Sequence, residues 1–351
     1  MKWLAFLLMV LVCSACSSGV SQRPPGALKK TELVDAINQQ ALCMDGSPIA
    51  YYLQTGSGAG LDTWIIHLEG GGRCATLAEC QVISAPFRSS QAWESSLLGQ
   101  GILSDIYSEN PLFYQSNHVL LRQCSADGWT GTMLNNQGLS FLGSVSFKAI
   151  IQDLISNKGL NQAANVLLTG ASSGTQGVLQ HLDWLAVKIP QAQVKGVIDA
   201  GYAIDVPVYQ NLVTTVSTRM KQYYLLHHSF VDVDCVALNT ANVERCLLPE
   251  VVISNVSTPL MIKDSQYDNV VLSKYGVLVP YDAQEQTYVD QYVISLKASL
   301  SAQPLVYSDR AATHTALVTR GFAQRKIGGV YLYNFLGEWF FQGVSTGSII
   351  E

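Results

Sequence analysis

The sequence predicts an α/β fold with a mostly parallel central sheet and helices on both faces, and two observations carry that prediction. After residue 60, short β-branched apolar runs alternate with longer stretches of helical spacing, the pattern of parallel strands joined by crossover helices. One run, Val166 to Thr169, leads into Gly170-Ala171-Ser172-Ser173-Gly174 and then directly into a helical stretch. That junction of strand, tight turn and helix presents a serine hydroxyl at a strand end, as α/β-hydrolase-like folds do.

The chain opens with Met1-Lys2, an apolar run from Trp3 to Val12, and the small residues Cys13-Ser14-Ala15-Cys16. This is the layout of a secretory signal peptide over residues 1–15, too short for a mature transmembrane helix, which needs roughly 20 residues. Ser14-Ala15-Cys16 resembles a bacterial lipobox in which Cys16 becomes the lipidated first residue. Cys13 departs from the usual leucine, so cleavage without a lipid is the alternative. Residues 16–35 then read as a tether, and residues 36–351 as a single domain. The expected place is the bacterial cell envelope, lipid-anchored on the periplasmic or outer-membrane face, or secreted if no lipid is added.

In the domain, buried strands are expected at Trp64 to Leu68, His118 to Leu121, Val166 to Thr169, Val194 to Ile198, Leu260 to Lys263 and Leu305 to Tyr307. Helices are expected at Ser146 to Ser156, Gly174 to Val187, Tyr209 to Leu226 and Glu285 to Leu300. Ile327 to Phe341 reads as a last strand followed by a hairpin or a helix. In such a sheet, ligands bind at the carboxyl ends of the strands.

Composition narrows the partners. Net charge is -5 and the basic residues are scattered, so no positive stripe offers itself to nucleic acid. Beyond Cys13 and Cys16 the cysteines are Cys43, Cys74, Cys80, Cys124, Cys235 and Cys246. An even set in an exported chain implies disulfides. Cys74 lies close to Cys80 and Cys235 to Cys246, which leaves Cys43 with Cys124. Among these six no CxxC pair or close Cys/His spacing appears, which argues against a metal site.

Ser172 is the candidate nucleophile. A hydroxyl needs a base to take its proton and a carboxylate to orient that base, in the chain order Ser, acid, His. His314 lies in a polar loop after a strand, where such a base belongs, whereas His227 and His228 end a helical stretch and suit its dipole. Asp264, Asp268 and Asp282 follow the strand at Leu260, and spacing leaves Asp264 and Asp268 both open. Leu68-Glu69-Gly70-Gly71-Gly72-Arg73 ends another strand, where glycines let backbone N–H groups approach a developing oxyanion. Gly72, Arg73 and Ser173 are the candidate donors.

Several ordered motifs together resemble the family of pectin acetylesterases and Notum carboxylesterases. They are Cys43-Met44-Asp45-Gly46-Ser47-Pro48, Leu68 to Gly72 with Cys74 and Cys80, and Asn110-Pro111-Leu112-Phe113-Tyr114. Cys124-Ser125-Ala126-Asp127-Gly128-Trp129 is similar to the Notum-like form of its motif, and Gly170 to Gly174, Asp199-Ala200-Gly201-Tyr202, Tyr267-Asp268 and His314 continue the likeness. The resemblance implies a serine carboxylesterase with Ser172, Asp268 and His314 as its triad, oxyanion donors at Gly72, Arg73 and Ser173, and no metal or organic cofactor. It places Glu69 and Asp199 in structural roles. The implied substrate is an acylated carbohydrate, such as acetylated pectin, that loses an acetyl group through an acyl-enzyme. The alternatives are Notum-like removal of a longer acyl chain and an inactive binding lipoprotein. The family usually has tryptophan where this chain has Arg73, so Arg73 and Trp129 are expected to shape the pocket, with Arg73 gripping a substrate carboxylate or lying over Trp129.

Overall fold

The computed structural model describes residues 26–343 and 347–351, so the expected signal peptide and Cys16 lie outside the described residues. Ten strands form one sheet: β1 (Ala27–Glu32), β2 (Ala50–Gln54), β3 (Thr63–Leu68), β4 (Ser96–Leu98), β5 (Asn117–Leu121), β6 (Asn165–Ala171), β7 (Gln193–Asp199), β8 (Leu260–Ser265), β9 (Val306–Asp309) and β10 (Ile349–Ile350). Their order is β10-β9-β8-β7-β6-β3-β5-β2-β1-β4. From β10 to β5 neighbouring strands run parallel, and β2, β1 and β4 extend the sheet antiparallel.

The six strands expected from the apolar runs are β3, β5, β6, β7, β8 and β9, each within a residue or two of its expected bounds. Their apolar residues point to both faces because both faces are covered. Ile65, Leu167, Val197 and Met261 pack on one side, and their neighbours Ile66, Leu168, Ile198 and Ile262 on the other. Helices α1 (Gly143–Asn157), α2 (Gly174–Lys188) and α5 (Ala283–Ser301) supply Phe147, Leu182 and Leu296 to the second of these cores. The first is closed by the chain after β9, where Leu317 and Phe322 lead to α6 (Leu332–Gly337) and its Leu332 and Phe335.

Three expectations are corrected. Residues 16–35 are not all tether, because Ala27–Glu32 is a strand and Leu28 is fully buried. The single helix expected over Tyr209 to Leu226 is a hairpin, Pro207–Val208 with Asn211–Thr215, followed by α3 (Val216–His227). Asp282 is no candidate acid but the N-cap of α5: its side chain accepts Gln284 N and Glu285 N, while Asp282 N donates to the Glu285 carboxylate. The tail resolves into a short hairpin, Lys326–Ile327 with Val330–Tyr331, and then α6.

Three disulfides join Cys43 to Cys124, Cys74 to Cys80 and Cys235 to Cys246. The first ties the loop after β5 to the segment before β2, and the second closes a short ring within the segment after β3, next to the strand ends where the site lies.

Candidate active site

Chain order in the sheet reverses between β3 and β6: from β3 the chain moves outward to β5, then returns to β6 on the opposite side of β3 and steps away through β7, β8 and β9. The loops leaving β3 and β6 therefore diverge and open a crevice at their carboxyl ends. The Gly70–Arg73 turn and the Ser172 turn are those two loops.

Ser172 adopts φ +54, a left-handed conformation that a non-glycine residue holds only when its surroundings enforce it. Its backbone N–H donates to Asp199 O at 2.8 Å. The turn is tight enough that a Cβ on Gly174 would lie 2.2 Å from Leu68 O, and one on Gly170 would lie 2.4 Å from Gly174 O. Those contacts, rather than flexibility, require the two glycines of the motif. Helix α2 starts immediately after, with Ser173 as its N-cap, so its positive end lies beside the serine.

His314 stands in the loop after β9, with its side chain 24% exposed. Its Nδ1 donates to Asp268 Oδ2 at 2.7 Å. Asp268 is 1% exposed, and its other oxygen, Oδ1, accepts from Val270 N at 2.9 Å and Val271 N at 3.1 Å, capping α4 (Asn269–Lys274). The choice that spacing left open between the two aspartates thus has a geometric answer: Asp268 meets His314, and Asp264 turns away. Asp264 accepts from Tyr202 N at 3.2 Å, and burial pushes its carboxyl up to about 8.

Gly72, Arg73, Ser172, Ser173 and His314 line one cavity of about 470 Å³. The glycine turn reaches it through positive φ at Gly71 (+121) and Gly72 (+83). Gln123, which the sequence reading did not single out, braces this wall: its Nε2 donates to Gly72 O at 2.9 Å, and its Oε1 accepts from Ser173 Oγ at 3.4 Å. Its signal was its position, one residue before Cys124 of the motif. The rest of the cavity is largely apolar, with Val208 of the hairpin, Val216 and Met220 of α3, Val271 of α4, and Tyr275 just beyond α4.

The aromatic wall differs from expectation. Trp129 does not line the cavity; it is 1% exposed, its Nε1 donates to Glu69 O at 3.0 Å, and Gly177 of α2 packs against its ring. Arg73 lies over Tyr223 instead, with its guanidinium 4.1 Å from the ring centroid and its Nη2 on Met220 Sδ at 3.5 Å. Its Nη1 is buried without a hydrogen-bond partner, and burial pulls the guanidinium pKa down. His227 is not a charged helix cap: it is fully buried, stacked on Tyr223 and tilted against Phe141, and burial pushes it down to about 3. Glu69 and Asp199 both accept backbone N–H groups, from Gln123 for Glu69 and from Ala316 and Leu317 for Asp199. Among the described residues no cluster of His, Cys, Asp and Glu is arranged to hold a metal ion.

A family model described as pectinacetylesterase matches residues 22–341. Pectin acetylesterase 5 of Arabidopsis thaliana is 31% identical over 325 residues, covering 88% of this chain and 73% of that protein. Palmitoleoyl-protein carboxylesterase notum2 of Xenopus laevis is 26% identical, covering 86% of this chain and 65% of that one. A solved structure of the Wnt deacylase Notum from Drosophila superposes with a TM-score of 0.85 at 26% identity, over 92% of this chain and 95% of that chain.

Proposed function

This chain belongs to the pectinacetylesterase family and is a carboxylic ester hydrolase, and from that premise we propose that it works through a Ser172–His314–Asp268 triad and an acyl-enzyme. The observation that carries the reading is the short bond from Nδ1 of His314, which lines the same cavity as Ser172, to the buried Asp268. With Nδ1–H held by the carboxylate, Nε2 is left as the base. Ser172 Oγ adds to the ester carbonyl as Nε2 takes its proton. The N–H groups of Gly72, Arg73 and Ser173 hold the oxyanion, and the alcohol leaves with the proton from His314. A water activated by His314 then cleaves the acyl-enzyme. Purified Ser172→Ala should lose hydrolysis of p-nitrophenyl acetate; retained turnover would exclude the mechanism.

The first substrate is a small acyl ester on an acidic polysaccharide, such as acetylated pectin. Arg73 lines the cavity together with Ser172 and its Nη1 lacks a hydrogen-bond partner, which supports a carboxylate on the substrate. Acetylated uronate and neutral sugar acetates compared in wild type and Arg73→Ala test this. Equal specificity constants for both substrates in both enzymes would sink it. The second reading, a longer acyl chain, is favoured by the apolar lining from Val208 to Tyr275. A series of p-nitrophenyl esters of increasing chain length separates the two by where kcat/KM peaks.

Export through the signal peptide, with lipid on Cys16, belongs to the same proposal. The three disulfides support an oxidising compartment. Radiolabelled palmitate incorporated by the wild type and absent from Cys16→Ser would establish the anchor, and equal incorporation would remove it.

A further inference from the structure

We propose that Asp199 is a positioning residue that sets the His314 loop against the Ser172 turn, an inference that rests on the triad reading above. Asp199 closes β7, directly beside the elbow strand, paired in register with Ala171. One residue reaches both halves of the site. Its main-chain oxygen accepts the N–H of Ser172 at 2.8 Å. Its side chain, fully buried, accepts on Oδ2 from Ala316 N and from Leu317 N, both at 2.7 Å, two and three residues beyond His314.

The loop that carries the histidine needs such a tie. Arg310, Ala312 and Thr313 are exposed. Its start is fixed by Asp309, whose carboxylate takes Arg325 at 2.8 Å and Lys263 at 3.4 Å, and its middle by Asn269 N on Ala312 O at 3.2 Å. On the far side of His314 the Asp199 carboxylate receives two consecutive N–H groups, which fixes the direction of the chain as well as its position. Asp199 is fully buried and does not line the cavity, so its effect on chemistry passes through His314 and Ser172.

The consequence is kinetic. A displacement of about 1 Å at a reacting group is enough to lower turnover by about a hundredfold, and substrate binding, which does not involve Asp199, stays as it was. Asp199→Ala should reduce kcat and the rate of fluorophosphonate labelling by about a hundredfold at nearly constant KM. Asp199→Asn retains an oxygen facing Ala316 and Leu317 and the same shape, but replaces charge-assisted bonds with weaker neutral ones, so its loss should be about tenfold.

The test measures kcat, KM and labelling rate for both variants, normalised to folded protein, together with the downfield Nδ1 proton resonance of His314, assigned by its loss in His314→Ala. A positioning role predicts the graded kcat loss at constant KM and a shifted or broadened resonance in Asp199→Asn, which keeps the assay decisive even where the alanine variant does not fold. A folded Asp199→Asn with wild-type kcat and an unmoved resonance overturns the inference. Ser172→Ala is measured alongside: activity surviving there overturns the triad itself, whereas an inactive Ser172→Ala beside a wild-type Asp199→Asn overturns only the role of Asp199.

Discussion

The two oxygens of Asp268 serve different ends, and Asp268→Asn separates them. Oδ1 accepts Val270 N and Val271 N at the start of α4, and Oδ2 accepts His314 Nδ1. An asparagine must keep its single oxygen on the helix, because an amide NH₂ there would face two donors. Its NH₂ therefore points at Nδ1, which has to become an acceptor, and the ring proton moves to Nε2. That tautomer cannot take the Ser172 proton. The same exchange of tautomer in serine proteases lowers kcat by about ten thousandfold, equivalent to about 5.4 kcal/mol of transition-state stabilisation. The cap survives, so stability should fall by less than the cost of about 1 kcal/mol expected when Asp268→Ala removes it. Steady-state kinetics with p-nitrophenyl acetate and urea titrations of both variants read the two effects separately. An asparagine variant within tenfold of wild-type kcat would refute the reasoning, since it would mean that Asp268 only caps a helix.

Other consequences are equally direct. Removing the Cys43–Cys124 bond, which spans 81 residues, should destabilise the fold by about 4.5 kcal/mol, against about 2.2 kcal/mol for Cys74–Cys80 across 6 residues, by chain entropy alone; urea midpoints of Cys→Ala pairs check the ranking. His67, His181 and His227 are buried with pKa values pushed by desolvation from 6.5 to about 3. The unfolded chain therefore binds more protons, so their contribution is complete above pH 6.5 and is lost as pH falls toward 3, at about 1.4 kcal/mol per pH unit for each histidine; stability measured from pH 7 to 4 should decline, and a flat profile would contradict this. Gly174→Ala should cost at least about 1–3 kcal/mol and collapse the Ser172 turn, because its Cβ would stand 2.2 Å from Leu68 O; a variant with wild-type melting temperature and activity would count against the tight turn.

What the sequence made legible was local. The elbow, its flanking strand and helix and the glycine turn after β3 are specified within a few residues by apolar runs and steric demands, and the structure has those elements. The antiparallel strands escaped notice because Ala27–Glu32 sits near the sheet edge, where Lys29, Lys30 and Glu32 interrupt the apolar pattern. Ile349–Ile350 is too short to show any period. Tyr209 to Leu226 reads as helical by spacing, yet its first part pairs back on Pro207 and Val208, a tertiary preference that β-branched residues permit. Trp129 shows the limit most clearly: the motif marks the residue, but whether an indole faces a cavity or a core depends on chain segments far away. The bond from Asp268 to His314 crosses 46 residues, so spacing alone left Asp264 as a rival until the fold brought the two together.

The central claim is that Ser172 is an activated nucleophile, and covalent labelling tests it without knowledge of the natural ester. Native protein treated with a fluorophosphonate and digested should carry the adduct on the peptide containing Ser172, with no adduct in Ser172→Ala and much slower labelling in His314→Ala. A wild-type protein that takes no label, or a Ser172→Ala variant that labels as fast as the wild type, would contradict the account.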